Sequence, residues 1–127
     1  MSKDLWERIV RYSSKRQDYL KCREQWLKKR EQILKKRRNR TDKAKKEAEL
    51  DEKIAKKELE KLKIDPVKIP KREIEIQKDK SKQMSLQADM QKIDAEIKSL
   101  ENDVEKLEKK MKKKEDEASK IQVMIPA

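Results

Sequence analysis

Between Leu86 and Ile125 the apolar residues fall at alternating steps of four and three. The series runs Leu86, Met90, Ile93, Ile97, Leu100, Val104, Leu107, Met111, Lys114, Ala118, Ile121 and Ile125, and all but Lys114 are apolar. Residues three and four apart share one face of an α-helix. The spacing therefore predicts a long helix with one narrow apolar seam, the a/d stripe of a coiled coil. A chain built around such a seam buries a stripe rather than a thick core.

Composition agrees with that constraint. Half of the 127 residues are charged, 33% are hydrophobic, and there is no Gly, His or Phe. Low hydrophobicity with a net charge of +12 also describes disordered chains. Disordered chains have no reason to keep a period, so the seam decides for helix.

The first half repeats at seven as well, but with a pair at each step. The pairs are Leu5-Trp6, Tyr12-Ser13, Tyr19-Leu20, Trp26-Leu27 and Ile33-Leu34. They fade at Arg40-Thr41 and Glu47-Ala48, then return at Ile54-Ala55 and Lys61-Leu62. Paired apolar positions give a stripe wide enough to meet more than one neighbouring helix. The stretch REQWLKKREQILKKR (Arg23 to Arg37) is the middle of this series.

Helix boundaries follow from capping and proline. Asp4 and Glu7 have capping-box spacing, which places a helix start at Asp4. No Gly or Pro follows until Pro66 and Pro70, which interrupt the chain, and Pro126 lies just past the second helix. The expected fold is all-α: a first long basic helix over 1–64, a Pro-containing hinge over 65–71 and a second helix over 72–125. Folding back at the hinge makes an antiparallel helical hairpin with residue i opposite roughly 136 − i. The Glu101–Glu108 stretch then faces Lys28–Lys35, Ile93 and Met90 fall near Ala44 and Lys46, and Lys109–Lys114 falls beside Lys21–Leu27, like charge against like. The alternative is an extended coiled-coil rod whose second helix pairs with another chain.

The residues that chemistry needs are scarce. Without His there is no imidazole base, and without Gly there is no phosphate-cradling loop. Cys22 has no imidazole partner, so it reads as a small residue beside the stripe, and one Cys without His cannot make a zinc site. We expect no enzyme, no cofactor, no metal and no small-molecule substrate. A single Cys, with no apolar run of membrane-span or signal-peptide length, places the expected location inside the cell, in cytoplasm or nucleus.

What the chain has is basic charge, unevenly placed. Residues 1–64 carry 23 Lys/Arg against 12 Asp/Glu, whereas residues 65–127 carry 15 against 14. Residues 21–46 alone hold 13 basic against 3 acidic side chains, where the apolar stripe is weakest. Arg16, Arg23, Arg30 and Arg37 stand one heptad apart, each four residues after Tyr12, Tyr19, Trp26 or Ile33. That spacing lets guanidinium groups lie against the preceding rings and present a fork to phosphate or carboxylate.

The candidate polyanion-binding residues are Arg16, Arg23, Lys28, Lys29, Arg30, Lys35, Lys36, Arg37, Arg38, Arg40, Lys43, Lys45 and Lys46. The candidate packing residues are Trp6, Tyr12, Tyr19, Leu20, Trp26, Leu27, Ile33 and Leu34, with Leu86, Met90, Ile93, Ile97, Leu100, Val104, Leu107, Met111 and Ile121 from the second helix.

The functional expectation is a non-catalytic coiled-coil binding or assembly protein. Its partners are other helices and an acidic polymer, either nucleic acid or an acidic protein surface such as that of a cytoskeletal polymer. The competing expectation is a structural rod or helical adaptor subunit in which charge serves solubility and Arg stems merely line the seam. A basic-region zipper is excluded, because its Asn is followed eight residues later by Arg, whereas Asn39 is followed at that distance by Glu47. A membrane surface ranks below both readings, and KKRRNR (Lys35 to Arg40) is a nuclear-localisation pattern of low specificity in so basic a chain.

Overall fold

The computed structural model describes residues 3–123, and the side chains of residues 3–122. It is all-α: α1 spans Lys3–Lys61, a short 3-10 turn spans Pro66–Lys68, and α2 spans Ile69–Val123. The two helices form an antiparallel hairpin. α1 starts at Lys3, so Asp4 sits within the first turn, where a carboxylate complements the positive end of the helix dipole. The seam position Ile125 lies outside the described residues.

The break covers residues 62–68, three residues earlier than the expected 65–71 and equally long, so the first helix ends at Lys61 rather than 64. α1 closes with Leu62 N–H donating to the Leu59 carbonyl, while the Lys63 and Ile64 N–H groups both donate to the Glu60 carbonyl. Asp65 then takes the extended backbone that a following proline demands (φ −56°, ψ 133°), and its Oδ1 accepts from Val67 N–H at 3.2 Å. Helix resumes at Ile69 rather than 72, because Pro70 falls in the first turn, where a missing N–H costs no helical bond.

The chain divides into two compact units, one of residues 35–97 and the other of Met1–Leu34 with Lys98–Ala127. In the hinge-containing unit, Ile76, Met90, Ile93 and Ile97 are buried. Arg40 and Asp94 meet at 2.5 Å, Lys43 and Asp89 at 3.5 Å, and Gln87 donates to Glu47 at 2.7 Å. Gln83 also donates to Asp51. Near the hinge, Arg72 reaches Glu60 at 3.2 Å and Lys61 reaches Glu73 at 3.4 Å. Leu62 and Val67 stay exposed at the turn.

In the other unit, Ile33, Leu100 and Ala118 are buried. Trp26 Nε1 donates to Glu108 at 3.1 Å, Lys29 reaches Asp103 at 3.5 Å, and Lys15 reaches Glu117 at 2.9 Å.

The pairing register differs slightly from expectation. Partner numbers total 132 for Lys43 and Asp89 and for Lys29 and Asp103, and 134 for Arg40 and Asp94 and for Trp26 and Glu108. Met90 therefore runs beside residues 42–44 rather than Lys46, and Ile93 beside residues 39–41 rather than Ala44. Both the earlier end of α1 and the earlier start of α2 move the break toward the N-terminus, and the pairing centre moves back by one to two residues with it.

The 4-3 positions of α2 are covered in each unit. Met90, Ile93, Ile97, Leu100 and Ala118 are buried, while Leu86, Val104, Leu107, Met111, Lys114 and Ile121 are half-buried. Among the described residues no helix is long and apolar enough to cross a membrane.

Candidate functional site

The basic segment divides when its side chains are placed. In the hinge-containing unit, Lys36 meets Glu96 at 2.5 Å, and Arg40 and Lys43 are committed to Asp94 and Asp89. Lys35, Arg37, Arg38, Lys45 and Lys46 remain exposed. In the other unit, Lys29 is half-buried and paired with Asp103, and Lys28 makes an i,i+4 pair with Glu24 at 3.4 Å. Four of the thirteen candidates thus hold the hairpin together instead of facing outward.

The Arg ladder is only partly realised. The Arg30 guanidinium lies 4.7 Å from the centre of the Trp26 ring, four residues back, as the spacing predicts. Arg16 instead lies 5.0 Å from the Tyr19 ring, three residues ahead. Arg23, for which Tyr19 is the expected ring, makes no ring contact among the described residues and is exposed. Arg16 is half-buried because it sits at the edge of the hairpin seam.

A second charge pattern escapes the sequence reading. Lys15, Lys29, Lys36 and Lys43 are separated by multiples of seven, and so are their partners Glu117, Asp103, Glu96 and Asp89. Seven residues are two helical turns, so within each unit the pairs repeat along the edge of the seam as rungs, Lys15–Glu117 and Lys29–Asp103 in one and Lys36–Glu96 and Lys43–Asp89 in the other. Matching Lys at heptad positions of one helix to acids at heptad positions of the other would have revealed it. The hydrogen bond from Lys36 holds Glu96 below the ordinary carboxylate range, and that from Lys15 does the same for Glu117.

One rung is missing in the unit of residues 3–34 and 98–123. Seven beyond Lys15 is Cys22, and seven before Glu117 is Lys110. The Lys15–Glu117 and Trp26–Glu108 contacts bracket this stretch, so Lys109–Lys114 runs beside residues 18–25. Lys109 has Glu105 at 3.7 Å, and Glu117 feels Lys113 and Lys114. Lys21, Arg23, Lys110 and Lys112 are exposed and make no ion pair among the described residues.

The apolar pairs of α1 split in two. Tyr12, Tyr19 and Trp26 are half-buried and Ile33 is buried, so the first member of each pair faces α2. The second members Trp6, Leu20, Leu27 and Leu34 are 51–58% exposed. A shallow groove of about 490 Å³ lies beside the first of them, lined by Trp6, Glu7, Val10, Arg11 and Ser14.

Among the described residues no group of three or more His, Cys, Asp or Glu side chains is placed to hold a metal ion. Compared with protein-family models, curated proteins and solved structures, the chain matches none.

Proposed function

We propose that the chain is a non-catalytic helical binding or assembly protein that docks an acidic partner through the basic face of α1. The observation that carries this reading is the missing rung. Both neighbouring rungs pair Lys with a carboxylate, whereas Cys22 and Lys110 occupy the place of a pair and Lys21, Arg23 and Lys112 stand nearby without an acid. Cations brought together along a hairpin repel one another unless an anion joins them. An acidic protein surface fits this face better than a nucleic acid backbone. Leu20 and Leu27 interrupt the basic residues, and exposed leucines gain nothing against phosphate.

The test is a titration at two salt concentrations with labelled polyglutamate, single-stranded RNA and duplex DNA. Wild type is compared with Arg23→Gln/Lys110→Gln. Salt-sensitive binding of polyglutamate that the substitutions weaken is the expected result. Preference for RNA or DNA moves the partner to nucleic acid, and absence of binding at low salt ends the proposal.

A further inference from the structure

A turn between helices runs through water and is ordinarily built of polar residues. Here it is apolar. Leu62, Ile64, Pro66, Val67, Ile69 and Pro70 make up six of the nine residues at 62–70, in a chain that is 33% hydrophobic. Ile64 and Ile69 are half-buried, so the hairpin uses them. Leu62 and Val67 are 83% and 85% exposed, more than any other exposed large hydrophobic side chain of the described residues. The turn is held through their backbone instead, from Leu62 N–H to the Leu59 carbonyl and from Val67 N–H to the Asp65 carboxylate.

The charge around these two side chains has one sign. Lys63, Lys68 and Lys71 are exposed and make no ion pair among the described residues, and the first turn of α2 holds no acid. Asp65 is the one acid within 61–72, and its Oδ1 is spent on Val67 N–H. The flanking Glu60, Glu73 and Glu75 are held by Arg72 and Lys61. Lys68, next to Val67, joins Ile64, Lys71, Arg72 and Glu75 in lining a hollow of about 280 Å³. The acid in that hollow is already neutralised, since Arg72 reaches Glu75 at 3.0 Å.

These features select the occupant. Side chains so far into water line no groove, and two of them five residues apart across a proline turn make no heptad row for a helix. Nucleic acid has no use for them either, because apolar side chains gain nothing against phosphate. A bilayer interface takes both parts at once. Apolar side chains pass beneath the headgroups, while lysines stay at the level of the phosphates.

We infer that the turn contacts an anionic membrane surface. Leu62 and Val67 enter the interface, and Lys63, Lys68 and Lys71 take the phosphate and carboxylate of its headgroups. This goes beyond the basic-face reading and shares no residue with it.

The experiment floats the full chain with vesicles of phosphatidylcholine alone and of phosphatidylcholine mixed with phosphatidylserine. Because the whole chain carries +12, the deciding comparisons are made at constant charge. Wild type is set against Leu62→Ser/Val67→Ser, and Lys63→Gln/Lys68→Gln/Lys71→Gln against the charge-matched Lys21→Gln/Arg23→Gln/Lys110→Gln. Circular dichroism and thermal unfolding verify each fold. Leu62→Ser/Val67→Ser should lose about tenfold in affinity for the mixed vesicles and keep its polyglutamate binding. The turn lysines should each be worth roughly fivefold, more than the matched set. An environment-sensitive dye on Cys22→Ser/Val67→Cys should shift to the blue on the mixed vesicles, whereas one on Cys22→Ser/Met84→Cys should not. Met84 is 70% exposed and lies away from the turn in sequence.

Equal vesicle binding by wild type and Leu62→Ser/Val67→Ser, or no shift at position 67, overturns the inference and leaves the basic face standing. Equal affinity for neutral and mixed vesicles overturns it as well. Weakened polyglutamate binding in Leu62→Ser/Val67→Ser assigns the turn to an acidic protein and overturns the membrane contact.

Discussion

Lys57 Nζ lies 2.7 Å from Asp79 Oδ2, joining α1 to α2, and Asp79 is only 7% exposed. It sits close to Ile76 in sequence, which is 2% exposed, so this ion pair is set into the driest part of the hinge-containing unit. The hydrogen bond from Lys57 lowers the Asp79 carboxyl below its ordinary value, against the opposing effect of burial. A buried pair of this kind does less for net stability than for register, since each charge has lost water to make it.

Asp79→Ala should therefore cost about 1–3 kcal/mol, because Lys57 keeps its charge and loses its partner. Lys57→Met/Asp79→Leu should recover most of that loss. Thermal unfolding of the three proteins checks this, and equal destabilisation by the single and double changes would contradict it.

Acid should loosen the hairpin in a defined window. Asp79, Glu96 and Glu117 are depressed in the folded state by Lys57, Lys36 and Lys15, so the unfolded chain takes up their protons first. Stability from these carboxylates is complete above their ordinary values of 3.8 and 4.5 and is lost as pH falls through the lower folded values. With no His in the chain, the melting temperature should be nearly flat from about pH 5 to 8 and fall below about pH 4.5. A step near neutrality would show that some other group controls the fold.

Filling the missing rung should stabilise the hairpin and weaken the proposed site together. Cys22→Lys/Lys110→Glu completes the series between Lys15–Glu117 and Lys29–Asp103. A rise in melting temperature of about 2 °C is expected, since exposed pairs are individually weak. Polyglutamate binding should drop in the same protein. An unchanged affinity would remove Lys110 from the site.

The two tryptophans should report different surroundings. Trp6 is 58% exposed, whereas Trp26 is half-buried, donates to Glu108 and carries Arg30 on its ring. Acrylamide should quench the emission of Trp26→Phe strongly, because only Trp6 remains. It should quench Trp6→Phe weakly. Equal quenching would mean that Trp26 does not pack against α2.

Much of this architecture was legible beforehand, and the misses have physical causes. Met90, Ile93, Ile97 and Leu100 lie on one face because helical geometry alone puts them there. Pro66 and Pro70 announced the interruption, yet Pro70 lies within α2 because a helix tolerates proline in its first turn. The functional lysines were harder. Lys29, Lys36 and Lys43 belong to the same basic run as Lys45 and Arg38, and nothing local separates those that cross to an acid from those that stay exposed.

The sequence by itself determined two long helices, where they break and the period of their seams, since each depends on residues within a few turns of one another. Only the tertiary structure decided which member of each α1 pair points at α2 and which lysines are spent on the rungs. Those outcomes depend on register between segments far apart in the chain. The seven-residue period repeats at every rung and cannot choose among its own registers. Tyr19 and Leu20 look alike as neighbours in a heptad, and only pairing with α2 half-buries the first and leaves the second open.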